Sequence, residues 1–122
     1  RRQRQMCIRD SAPRLQVAQA LPSAEFARDR FGSVLGGIRL AEHAVPTDQN
    51  TDMNSGTGNR FCFLYGSHEA FSEAQLRNLY SSRKKYVQAV TRVVQENLPD
   101  GYILPYAAER TIEAARGRDI GR

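Results

Sequence analysis

Ser81-Ser82-Arg83-Lys84-Lys85-Tyr86-Val87-Gln88-Ala89-Val90-Thr91-Arg92-Val93-Val94-Gln95-Glu96-Asn97-Leu98-Pro99-Asp100-Gly101 is the stretch on which the fold turns. Tyr86, Val90, Val94 and Leu98 recur every four residues and are joined by Val87 and Val93, the spacing of one broad apolar face on an α-helix. Ser81 or Ser82 offers an N-cap oxygen, and Pro99-Asp100-Gly101 cannot continue the coil, so a helix is predicted from there to Leu98. Arg83-Lys84-Lys85 reads as its solvated first turn. A phosphate site is the less economical reading, because no aromatics interleave the charges and cations in a first turn oppose the helix dipole.

Outward in both directions the helical signals continue. Ser72 followed by Gln75 forms a capping box, with Phe71 and Leu76 at the positions of a hydrophobic staple, which predicts a helix from Ser72 to about Tyr80. Pro105, a favoured first helical residue, and Gly117 bracket a third helix with Ala108, Ile112 and Ala115 facing inward. Tyr102-Ile103-Leu104 connects the second and third helices.

Upstream the pattern weakens. Leu15, Val17, Ala18, Ala20 and Leu21 sit among helix formers interrupted by Pro13 and Pro22, so short helical pieces are expected over residues 11–31. Ser33-Val34-Leu35-Gly36-Gly37-Ile38-Arg39-Leu40 reads as a strand or turn where backbones approach closely. Residues 47–59 are rich in Thr, Asp, Asn, Ser and Gly and are expected to form a loop. Phe61-Cys62-Phe63-Leu64-Tyr65-Gly66 fits either a buried strand or an apolar turn.

Composition excludes several classes. No apolar run approaches the roughly 20 residues that span a bilayer. The chain of 122 residues carries a net charge of +5. Part of that charge lies in Arg1-Arg2-Gln3-Arg4-Gln5-Met6-Cys7-Ile8-Arg9-Asp10, which reads as a translated sequencing-library adapter: ATG TGT ATA AGA GAC, from a transposon end, encodes Met6 to Asp10. On this reading residues 1–10 are an unstructured artefact and biological sequence starts near Ser11. Four arginines and one aspartate leave with it, and the charge falls to +2. The remaining charges are interspersed, and no nucleic-acid partner is expected. Cys62 is then the lone cysteine, which supports neither a disulfide nor a metal cluster, so no metal or cofactor is expected.

Few residues carry chemistry. A nucleophile elbow needs Gly-x-Ser-x-Gly, and no serine here has that frame. His43, in Ala41-Glu42-His43-Ala44-Val45-Pro46, lies just before the polar stretch and is the candidate catalytic histidine; a surface histidine is the simpler alternative. His68, in Gly66-Ser67-His68-Glu69, is expected in the turn before the Ser72 cap and ranks no higher. Gly56-Thr57-Gly58 lacks the third glycine of a dinucleotide-binding run and reads as flexible loop. Cys62, between two phenylalanines, reads as a small buried apolar side chain.

The order of Gly36-Gly37-Ile38-Arg39, Val45-Pro46, Phe61-Cys62-Phe63-Leu64-Tyr65-Gly66-Ser67, Phe71, Leu76, Leu79-Tyr80, Tyr86 and Gly101-Tyr102-Ile103-Leu104-Pro105 resembles the C-terminal part of a largely bacterial family of α/β-hydrolase domain-containing proteins. The resemblance covers about residues 34–115. It implies that residues 11–122 are the C-terminal portion of an α/β-hydrolase-type domain, incomplete at its N-terminus, mainly α in this part with two or three helices, short strands and long loops. It further implies ester-type hydrolysis of a small substrate by the parent, with the nucleophile upstream and this portion structural. Where the family often has proline this chain has Ala41, and where it has threonine this chain has His68, which argues against a catalytic role for either histidine. The competing expectation is a non-catalytic helical module that docks a partner through the apolar stripe from Tyr86 to Leu98.

Overall fold

A computed structural model describes residues 12–51 and 65–120. The adapter-like leader, Gly56-Thr57-Gly58, Cys62 and most of the apolar run 61–66 lie outside the described residues. The elements run β1 (Val17–Gln19), β2 (Glu25–Phe26), α1 (Ala41–Ala44), β3 (Asp48–Thr51), β4 (Ser67–Ala70), α2 (Glu73–Leu79), α3 (Arg83–Asn97) and α4 (Pro105–Gly117).

The three expected helices are present. Ser72 caps α2: its side chain accepts from the Gln75 amide, while Gln75 reaches back to the Ser72 amide at 2.8 Å. Ser82 caps α3 by accepting from the Lys85 amide at 3.3 Å, and Leu98 closes it. Beyond it Gly101 adopts a φ of +74° and donates to the Leu98 carbonyl, turning the chain towards α4. Pro105 opens α4 as its first residue.

The core follows from the stripe. Tyr86, Val90, Val93 and Val94 of α3 are buried against Ala108 and Ala115 of α4, with Ala41 and Val45 of α1 and Ile120 completing the cluster. Alanines on α4 let the two helices approach closely, and each valine removed from water contributes about 1.5 kcal/mol or more. Only the far end of the stripe is open, Leu98 being 37 % exposed. The expectation of a free docking stripe is therefore corrected: this chain's own α1, α4 and Ile120 cover it.

Two expectations for the first half also change. Residues 12–31 hold two short strands, β1 and β2, and no helix where helical pieces are expected. Pro13 and Pro22 withhold helix donors, and the amides between them find partners across the chain: β1 pairs antiparallel with β2. Gln16 accepts from the Ala27 amide and donates to the Leu35 carbonyl, both at 2.9 Å, while Gly37 donates to the Arg14 carbonyl at 3.0 Å. Gly36 makes this approach possible. Its φ is +77°, and a Cβ there would lie 2.3 Å from the Arg14 carbonyl oxygen. The close backbone approach expected of the glycine pair is what the fold contains.

The expected loop 47–59 is corrected at its start. Asp48–Thr51 is β3, paired antiparallel with β4 in the register Asp48↔Ala70, Gln49↔Glu69, Asn50↔His68 and Thr51↔Ser67. These polar side chains carry no alternating apolar signal, so the pairing is a tertiary effect that local propensity does not announce. The same pairing corrects His68, which lies in a strand and not in the turn before Ser72.

Arg39 ties the two halves together. Its guanidinium donates to the Val34 carbonyl at 2.9 Å, the His43 carbonyl at 2.7 Å and the Asp29 carboxylate at 2.6 Å. Asp29 in turn accepts from the amides of Phe31 and Ser33 at 2.9 and 3.1 Å. Burial alone would raise the Asp29 carboxyl, but the Arg39 hydrogen bond, the two amides and the Arg39 charge outweigh it and hold the group below its ordinary value. The Arg39 carbonyl accepts from Asn97 at the end of α3 at 3.2 Å.

Candidate functional site

Hydrogen bonding across β3 and β4 sets His68 opposite Asn50. His68 Nδ1 lies 2.9 Å from Asn50 Oδ1 and 3.8 Å from Asp48 Oδ1. The Asn50 amide donates through Nδ2 to Asp48 Oδ1 at 2.5 Å, which fixes its oxygen towards the imidazole. An amide oxygen only accepts, so Nδ1 carries a proton, and in the neutral ring Nε2 is the unprotonated nitrogen. Asp48 also accepts from the Thr47 hydroxyl at 3.1 Å.

This group stands at one wall of a cleft of about 640 Å³ between the β3–β4 hairpin and α4. Its floor is apolar, made by Ala41, Val45, Tyr86 and Val90, all of them core residues. The opposite wall is one face of α4, where Ala107, Arg110, Thr111 and Ala114 recur at helical spacing, with Arg118 beyond its end. Arg118 donates to Thr47 Oγ1, joining the end of α4 to the start of β3. An apolar floor with a few converging polar groups is the usual make-up of a small-molecule site.

The phenols beneath the cleft are not bases at physiological pH. Burial, and secondarily the neighbouring Tyr86, pushes the Tyr80 hydroxyl up to about 12, and it donates to the Pro46 carbonyl at 2.8 Å. Burial likewise raises Tyr86, whose ring meets Tyr80 edge-on at 5.0 Å between centroids. Arg118 acts in the other direction on Tyr86, and Asp48 and Glu42 reinforce the rise.

His43 is placed elsewhere. It is exposed on α1 and lines a neighbouring cavity of about 350 Å³ with Leu15, Ser33 and Val34. Among the described residues its imidazole makes no hydrogen bond; its main-chain carbonyl receives Arg39. The two histidines thus face different cavities, which share Asn50 at their border. Arg83, Lys84 and Lys85 lie on the outer side of α3, and Arg83 pairs with Asp119 at 3.4 Å.

Sequence reasoning missed Thr47, Asp48, Asn50, Arg110 and Arg118. The last two were within reach: the spacing of Ala107, Arg110, Thr111, Ala114 and Arg118 marks a second face on α4, small and basic, distinct from the inward face of Ala108, Ile112 and Ala115. Among the described residues no helix is long and apolar enough to cross a membrane.

No curated protein and no solved structure matches the chain. A family profile described as the alpha/beta hydrolase domain matches residues 8–113, which takes in the glycine pair, the β3–β4 wall of the cleft, α3 and α4 as far as Glu113. Strands, helices and an open cleft in the described residues agree with that match, and the chain belongs to the alpha/beta hydrolase domain family.

Proposed function

We propose that residues 11–122 are the C-terminal portion of an enzyme that hydrolyses a small ester-like substrate, that residues 1–10 are an adapter-derived leader, and that this portion builds a wall of the substrate cleft. The nucleophilic serine belongs to upstream chain, the other partner of this portion. The observation that carries this reading is the cleft between the hairpin and α4, apolar at its floor and polar at its rim, in a sequence of this family without a Gly-x-Ser-x-Gly frame. A Gly-x-Ser-x-Gly strand-turn-helix encoded upstream is the expected finding; a complete gene without one overturns the proposal.

A second reading is favoured by one specific contact set. His68, its Nδ1 held by Asn50 beside Asp48 and its Nε2 unprotonated in the neutral ring, has the arrangement of a general base with its orienting partners. Acid before histidine is also the chain order of an α/β-hydrolase. His43 has no such partner among the described residues. In the complete enzyme the wall reading expects His68→Ala and His43→Ala to keep kcat within a few-fold. If His68 is the base, His68→Ala alone lowers kcat by roughly 10²–10⁴.

A further inference from the structure

Arginines in and around α3 and α4 divide into two kinds. Arg83 pairs with Asp119, Arg92 with Glu96 and Arg116 with Glu113, and these lie away from the cleft. Arg110 and Arg118 line the cleft and, among the described residues, neither is in an ion pair. Arg118 spends a donor on Thr47 Oγ1, a neutral partner, which leaves its charge uncompensated by that bond. On the hairpin side, Asp48 is already committed to the Thr47 hydroxyl and the Asn50 amide. Glu42 and Asp48 line the cleft as well, but among the described residues neither comes within ion-pair distance of Arg110, so the Arg110 guanidinium on the α4 wall is open to an anion beside the apolar floor of Tyr86 and Val90, with small Ala107 and Ala114 leaving room along α4.

We propose that the cleft binds a small monocarboxylate with an apolar body, its carboxylate on Arg110 and its body along Ala107, Thr111 and Ala114 towards the Tyr86–Val90 floor. Arginine presents a planar fork of donors that matches a carboxylate, and the apolar floor takes the chain that follows it. The proposal rests on the hydrolase reading in one respect: hydrolysis of an ester releases such an acid. The cleft is then where the acid product, or the acyl half of the substrate, lies.

The test is an equilibrium titration of the full 122-residue chain with hexanoate, hexanamide and hexylammonium, followed residue by residue in amide NMR spectra. Hexanoate is expected to shift Ala107, Arg110, Thr111 and Ala114. Because Arg110 is solvent-exposed, its charge is worth a modest factor: hexanamide should bind roughly threefold more weakly, and Arg110→Gln should weaken hexanoate by the same factor while leaving hexanamide unchanged. Arg110→Lys should retain the preference for the acid, and Arg116→Gln should change nothing. Shifts confined to other residues overturn the proposal. So does equal affinity for hexanamide, tighter binding of hexylammonium through Glu42 and Asp48, or undiminished hexanoate binding in a folded Arg110→Gln chain. No turnover enters the measurement, so a gene without a nucleophile elbow removes the hydrolase reading and not this one.

Discussion

The α3–α4 pair and the β1–β2 sheet show two ways of holding a chain in place. On the helical side, side chains do the work: Val90 is 2 % exposed and Val94 3 %, and burial of the stripe supplies the stabilisation. On the sheet side Val17 is 55 % and Leu21 82 % exposed, neither strand buries a residue, and main-chain bonds together with Arg39 and Asp29 keep the segments together. A two-stranded sheet without a covered face is marginal in water. The cleft therefore borrows its rigidity from the helical side, while the sheet side depends on a few polar contacts.

Breaking the helical side should have the largest effect. Tyr86→Ala removes a ring from the core and from the cleft floor, and should cost about 3–5 kcal/mol in urea unfolding. Gly36→Ala should cost about 2–3 kcal/mol, since it forces a left-handed conformation and a clash with the Arg14 carbonyl; amide-exchange protection should fall over residues 14–37 and hold in α3. Arg39→Met should cost about 2 kcal/mol through lost charge-assisted bonds, with the same regional signature. The Asp29 carboxyl makes that region acid-sensitive. Its folded value lies below the ordinary 3.8, so its contribution is complete above 3.8 and is lost as pH falls from there through the depressed folded value. An acid titration by NMR should open the sheet side first, and Arg39→Met should abolish that order. Smallest of all, Ser72→Ala should cost about 1 kcal/mol by removing the α2 cap, and should fray α2 alone.

What the sequence disclosed divides along the same line. Helices α2, α3 and α4 were legible because their signals are local: Ser72 with Gln75, Ser82 before the stripe, Pro105 and Gly117 as brackets. The glycine pair disclosed a close backbone approach, though not its partner. Asp48-Gln49-Asn50-Thr51 looked like loop because its strand character comes from pairing with residues 16 to 22 positions further on. Without that pairing His68 has no neighbours to orient it. For the same reason His43, next to a polar stretch, looked as suitable as His68. The acid and amide that set His68 apart belong to a ladder that sequence pattern does not register. Half of the cleft, the α4 wall, was written in helical spacing; the hairpin wall was not.

The bonds that close this molecule also differ in the length of chain they span. Tyr80 reaches Pro46 across 34 residues, Asn97 reaches Arg39 across 58, and Arg118 reaches Thr47 across 71. The turn between α3 and α4 closes within a few residues. Short loops close at less entropic cost than long ones, so the helical hairpin is expected to assemble first and to serve as a template. The Arg118–Thr47 bond, which spans the longest stretch of these, is then expected among the last to form, and it is the one that joins the two walls of the cleft.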